Sequence, residues 1–276
     1  MTVPIAIALV IVATAVAVTA LLLVRRRAPE GGFFADGDRA AGFFGVLATS
    51  VAILIGFVVF LAFESFDASR SGAESEARAV IQQYPTAQLL PASVRRDLSG
   101  QLVCYARYVI EQEWPRMEDG EGGDAINPWG VALFRTLDRA EPVAASEQSA
   151  YDTWLDRTAE REQARQDRLH GAEGVIPQPL WVVLFLAAAL LVVFMLFFAD
   201  PGERALVQGV QIGSVVAVIS ASLGLVAFLD RPFQPYAAGL KPTAMERTLV
   251  QLEGARAAIG DRSSPPCDAR GAASRS

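Results

Sequence analysis

Cysteine and histidine are almost missing from this chain of 276 residues, with only Cys104, Cys267 and His170. That scarcity excludes a metal cluster built from soft ligands and implies no disulfide framework, so no metal or cofactor is expected. Lysine is reduced to Lys241, which reads as coding bias rather than chemistry. No basic stripe is interleaved with aromatics. The net charge of −6 lies mostly in the polar middle, so nucleic acid is not an expected partner. Phosphate loops and dinucleotide fingerprints are absent, and the glycines of residues 120–123 sit among acids that would repel phosphate. No glycine-framed serine or cysteine stands near the lone histidine, which leaves no nucleophile and base. Glu111 and Glu113, beside Trp114, are two residues apart and point to different sides of a helix, which is poor geometry for an acid and base pair. No catalytic residue is assigned, and an enzyme is not expected.

Long apolar runs fill the space these absences leave. More than half of the residues are hydrophobic and the mean hydropathy is positive, too greasy for an ordinary soluble domain. About twenty apolar residues carry a helix across a hydrocarbon core of roughly 30 Å, and four stretches reach that length: 3–24, 41–63, 180–199 and 206–229. The second organises the chain, because it leaves the membrane as a charged helix through Glu64, Asp67, Arg70, Glu74, Glu76 and Arg78, with no proline before Pro85. The fourth carries Gln208, Gln211, Ser214, Ser220 and Ser222. Its polar groups need partners that lipid cannot supply, and Gly209 with Gly213 offers a small-residue packing surface.

The expected fold is all-α: a polytopic membrane protein with four transmembrane helices and a helical soluble domain, residues 64–178, between the second and third. Pro91 precedes a helix with Leu98, Leu102, Tyr105, Val109 and Ile110 at helical steps, ending near Trp114 and Pro115. Cys104 falls within this periodic helix and reads as a small buried hydrophobe. Pro128 opens a shorter helix with Val131, Leu133, Phe134 and Leu137 on its apolar side. Residues 144–170 read as a long helix whose dense opposite charges form a solvated, salt-bridged face, with His170 at its solvated end. After the fourth span, Asp230 and Arg231 are expected to pair or cap at the interface. A helix near 243–259 then precedes a tail, 260–276, whose serines, prolines and glycine read as disorder.

Charge bias gives a divided answer on orientation. Arg25, Arg26, Arg27 and Arg39 flank the short loop between the first two spans and would place it in the cytoplasm and the N-terminus outside. The opposite side carries Arg70, Arg78, Arg165, Arg168, Arg231 and Arg247 near its span ends.

The order of these pieces resembles the bacterial membrane family described as bestrophin-like, over about residues 36–245. The residues that carry the resemblance are Ala41-Gly42-Phe43, Ile53-Leu54-Ile55-Gly56-Phe57, Glu76-Ala77 and Leu90-Pro91. They continue with Tyr105, Glu113-Trp114-Pro115-x-Met117, Arg165, Arg168-Leu169, Ile176-Pro177, Leu180-Trp181 and Leu229-Asp230-Arg231-Pro232-Phe233. The resemblance implies a multi-pass inner-membrane protein, a homo-oligomer on the pattern of pentameric anion channels, with its pore lined by the second span and its helical domain in the cytosol. That last placement conflicts with the Arg25–Arg27 cue. Ile53 and Phe57 look like the neck positions of such channels, and Thr49 departs from the aliphatic usual there. The spacing agrees in part: Thr49, Ile53, Phe57 and Phe60 fall along one helical face, and a hydrophobic constriction can gate by dewetting. The lipid bilayer and anions are then the expected partners. A different class of function, a non-conducting scaffold or sensor binding a protein partner through its helical domain, is suggested by the charged helix at 144–170.

Overall fold

The computed structural model describes residues 3–122, 126–235 and 238–274. Among them secondary structure is helical, in the order α1 (Val3–Arg25), α2 (Gly37–Leu89), α3 (Ala92–Tyr108), a π-helical turn (Val109–Glu113), α4 (Trp114–Glu118), α5 (Pro128–Asp138), α6 (Ala145–His170), α7 (Gln178–Leu196), α8 (Ala205–Leu229) and α9 (Thr243–Ala258). Four helices, α1, α2, α7 and α8, are long and apolar enough to cross a membrane. Pro85 does not end α2 but lies within its last turns; the helix stops at Leu89, ahead of Pro91.

The chain divides into two compact units, residues 1–64 with 175–230, and residues 65–174 with 231–276. The first is built from the apolar helices. Ala17, Leu21, Ile212 and Val216 bury one core between α1 and α8, while Val51, Ile55 and Val58 of α2 join Leu184, Leu191 and Val226 in another. Rings of Phe34, Phe44, Phe194 and Phe198 meet beside them in stacked, tilted and edge-to-face pairs, with centroids 5.0–6.0 Å apart. Asp230 caps the chain leading into α7: its Oδ1 accepts the backbone N–H of Val175 and of Ile176, each at 2.8 Å.

The second unit has its own core. Leu98, Leu102, Val103 and Tyr105 of α3 meet Val80 and Ala87 of α2, Leu133 and Leu137 of α5, Trp154 of α6 and Leu252 of α9, all at most 2% exposed. The Asn127 side chain accepts the Trp129 N–H at 3.0 Å and so caps α5. This helix buries Trp129, Leu133, Thr136 and Leu137, so Phe134, expected on its apolar side, is 60% exposed. The helix read as ending near Trp114 instead runs on from α3 through the π-helical turn into α4.

Two expectations are overturned here. Cys104 is not a free buried hydrophobe: it is bonded to Cys267 across 163 residues, with both cysteines buried. Of the segment read as disordered from its composition, residues 261–274 are laid along α3, and residues 275–276 lie outside the described residues. Pro266 packs on Gly100, the Arg107 guanidinium donates to the Asp268 carbonyl at 3.3 Å, and the Trp129 indole N–H donates to the Gly271 carbonyl at 2.6 Å. Gly271 has φ +74°, and a Cβ there would meet the Tyr108 backbone, so only glycine fits that crossing. Polar composition had hidden a strap made of specific bonds.

Candidate pore face and a buried ion network

The stripe proposed from sequence lies on the side of α2 away from its packed face. Val51, Ile55 and Val58 point into the core at 1–8% exposure, whereas Ile53 is 68%, Phe57 59% and Phe60 55% exposed, and Thr49 is exposed with them. The four- and three-residue steps that hold one set together put the other on the far side. Gly42, Gly45 and Gly56 have nothing within 4 Å of where a Cβ would stand, so this side of α2 is uncovered by its own chain. Gly209 and Gly213 face α1: a Cβ on Gly213 would lie 3.4 Å from Thr14 and from Val18, and one on Gly209 would lie 3.7 Å from Val18. Gln208 takes a hydrogen bond from Arg25 at 3.3 Å and gives one to Glu203 at 3.0 Å; Arg25 also donates to the carbonyls of Pro201 and Glu203. One of the loop arginines thus serves a polar side chain of α8.

The second unit holds a cluster that the sequence reading did not assemble. Arg168, fully buried on α6, donates through Nε to Glu76 Oε2 at 2.5 Å, through Nη2 to Glu76 Oε1 at 3.1 Å and to Glu113 Oε2 at 2.5 Å, and through Nη1 to Met117 Sδ at 3.2 Å. Arg165, one helical turn earlier, donates twice to Glu113 Oε1, at 3.1 and 3.3 Å. The Tyr105 hydroxyl donates to Glu76 Oε1 at 2.7 Å. Arg161 lies 4.8 Å over the Tyr105 ring and donates to Gln83 Oε1 at 2.9 Å, and Arg168 lies 5.9 Å from the Trp114 ring. Two buried glutamates therefore face two buried arginines, with each carboxylate accepting at least three hydrogen bonds.

Three groups of the cluster are displaced from their ordinary values. Burial pushes the Glu113 carboxyl up, but the guanidiniums of Arg168 and Arg165 outweigh it and hold the group below the ordinary glutamate range. Burial likewise disfavours charge on Arg168, and Glu76 and Glu113 overcome it, raising Arg168 above its ordinary value. Burial and the adjacent Glu76 carboxylate push the Tyr105 phenol well above 10. None of these three changes charge near neutrality, and the hydrogen bonds of the cluster fasten α2, α3, the π-helical turn and α6 to one another.

The solvated face expected for residues 144–170 is thus corrected. Asp152, Asp156 and Glu160 are exposed and His170 stands exposed at the helix end, but Arg161, Arg165 and Arg168 turn inward. The signal was present in their spacing: Trp154, Thr158, Arg161, Arg165 and Arg168 recur at three- and four-residue steps on one face. α6 lies close against α2 here, because a Cβ on Gly72 would fall within 2.5–2.9 Å of the backbone of Ala164, Asp167 and Arg168. No cluster of metal-ligating side chains occurs among the described residues.

The sequence model of the family described as Bestrophin-like domain matches residues 11–235. No curated protein matches the chain. Among solved structures it is similar to a crystal structure of a membrane protein, with a TM-score of 0.66 at 15% identity over 89% of this chain and 98% of that one. It is also similar to two point variants of a bacterial bestrophin homologue from Klebsiella pneumoniae. Their TM-scores are 0.62 and 0.63, each at 15% identity, over 89% and 91% of this chain and 99% and 98% of theirs. At such identity the likeness concerns the fold.

Proposed function

The chain belongs to the Bestrophin-like family, and from that premise we propose that it is a multi-pass inner-membrane protein that assembles as a homo-oligomer and passes anions along an axis lined by α2. The observation that carries this reading is the uncovered apolar stripe of Thr49, Ile53, Phe57 and Phe60, opposite the face with which α2 packs into its own subunit. Brought together around an axis, such stripes form a narrow apolar neck that admits ions only when wetted. A ring of five is the assembly the resemblance implies.

The test is halide flux in liposomes reconstituted with the purified protein, joined to particle averaging for the symmetry of the ring. Flux above protein-free vesicles, altered by Phe57→Ala, is the expected result. A monomer or dimer without an axial path, or flux equal to the empty control, overturns the reading. The rival, a non-conducting scaffold, rests on the charge of α6, and three of its arginines are engaged inside the helical unit.

A further inference from the structure

We propose that the helical unit and the C-terminal segment face an oxidising compartment outside the cytoplasm, where Cys104 and Cys267 are the substrate of an exported thiol oxidant. The inference does not depend on whether the protein conducts. It starts from the pairing itself: the only two cysteines of the chain are joined, one from α3 and one from beyond α9. A bond between them requires both to lie on the same side of the membrane, and so an even number of crossings between residues 104 and 267. Two helices long and apolar enough to cross, α7 and α8, separate them.

The bond also bears on which side that is. Disulfides persist in oxidising compartments and are rare in the cytosol, where those that form are mostly transient, catalytic or sensing. This one has none of the marks of a transient bond. Cys104 is 0% and Cys267 6% exposed, and the chain holds no third cysteine to exchange with. The strap over it is fixed by bonds from Arg107 to Asp268, Trp129 to Gly271 and Gln112 to Arg270.

The arginine distribution, undecided when every arginine is counted, leans the same way once long loops are set aside. Charge bias acts through loops shorter than roughly 60 residues. The unit between α2 and α7 runs from residue 65 to 174 and falls outside that range. The two short loops, between α1 and α2 and between α7 and α8, carry or adjoin Arg25, Arg26, Arg27, Arg39 and Arg204, whereas the segment after α8, on the other side, carries Arg231, Lys241 and Arg247 within about 20 residues of the span. Five basic side chains against three is the bias that places the short loops in the cytoplasm and the cysteines on the opposite side.

The chemistry needs a partner. Two thiols give up two protons and two electrons to form the bond, and the electrons pass to the disulfide of a thiol–disulfide exchange protein, which leaves as a dithiol. Because Cys104 is fully covered in the folded unit, exchange precedes the docking of residues 261–274.

The experiment uses the full chain in a Gram-negative host. A C-terminal alkaline phosphatase fusion, active only where it can be oxidised, is expected to be active, and a C-terminal green fluorescent fusion dark. Acid-trapped protein treated with a maleimide polymer is expected to show no adduct before reduction and two per chain after it. In a host lacking its exported thiol oxidant, two adducts are expected without reduction. The Cys104→Ser, Cys267→Ser chain keeps the reporter pattern, which is set on insertion, and shows no adduct at all. A bright fluorescent fusion with silent phosphatase overturns the placement. Two adducts before reduction in the unmodified host overturn the pairing, and oxidation unchanged without the oxidant overturns the partner.

Discussion

Replacing Arg168 with alanine tests whether the ion network holds the helical unit together. Among the described residues, the substitution removes the only cation hydrogen-bonded to Glu76 and one of the two that serve Glu113, while Arg165 stays with Glu113. Breaking a buried pair by deleting one partner costs about 3–5 kcal/mol, because a charge is left buried without compensation. The stranded carboxylate escapes by taking up a proton. For a glutamate of reference pKa about 4.3, that costs about 3.7 kcal/mol at pH 7 and about 1 kcal/mol at pH 5. For a unit of this size each kcal/mol moves the midpoint by about 2–4 °C, so the helical unit is expected to melt roughly 10 °C lower at pH 7, with the deficit shrinking towards pH 5. Tryptophan fluorescence reports it directly, since Trp114 lies against both Arg168 and Phe233. Pairing Arg168→Met with Glu76→Gln strands no charge and is expected to recover most of the loss. A shift below about 3 °C for Arg168→Ala, or a double variant melting as low as the single one, refutes the reasoning.

Other perturbations read separate contacts. Gly72→Ala would push a Cβ into the α6 backbone, with Arg168 N at 2.5 Å and the Ala164 carbonyl oxygen at 2.8 Å; overpacking of this kind is expected to cost about 1–3 kcal/mol in the same melt. Gly56→Ala, in the same helix but with open space at its Cβ, is the matched control and is expected to leave the melt unchanged. Trp129→Phe removes the donor to the Gly271 carbonyl and is expected to cost about 1–3 kcal/mol, seen as faster proteolysis within residues 261–274. Reducing the disulfide frees a closure of 163 residues. Chain-entropy arithmetic puts that at about 5 kcal/mol, and because the dependence is logarithmic, keeping α7 and α8 inserted in the unfolded chain changes it by only a few tenths. Acid acts through Glu113: its folded pKa lies below the ordinary 4.5, so its contribution is complete above that value and is lost as pH falls through the lower one. The melting midpoint should hold from pH 8 to about 5 and decline below.

What could be read in advance follows from how far each signal reaches along the chain. The apolar helices were legible because each is a local fact: some twenty uncharged residues in a row need no partner to be recognised. The start of α5 was legible for the same reason, through Pro128. The network was not legible, because its counter-charges are remote. Glu76 is 92 residues from Arg168 and Glu113 is 55, so a helix bearing arginine, glutamate and aspartate within each turn offers closer partners that look sufficient. Two of those local pairs do form, Arg157 with Glu160 and Arg161 with Glu162, and Arg161 still turns inward. Density of charge was taken for exposure, when only the periodicity of the arginines distinguished the inner face from the outer. The tail misled in a similar way: its prolines, serines and glycine serve crossings and turns that only the partner surface of α3 makes necessary.

The short motifs that carried the resemblance gain a physical meaning from this arrangement. Glu76, Tyr105, Glu113, Met117, Arg165 and Arg168 stood in it as separate fragments, each weak alone, and in the folded unit they share one set of hydrogen bonds. Trp114, from the same fragment as Glu113 and Met117, and Phe233, from the fragment after the fourth span, meet edge to face at 5.3 Å beside them. A set of buried charges that balance only together constrains all its members at once: changing one strands another, and so residues far apart in sequence form a recognisable set without touching any ligand. The stripe of α2 obeys no such constraint within a single chain. Among the described residues Thr49, Ile53, Phe57 and Phe60 stay exposed, so a constraint on those four positions has to come from outside the subunit, and the ring and flux measurements test for one.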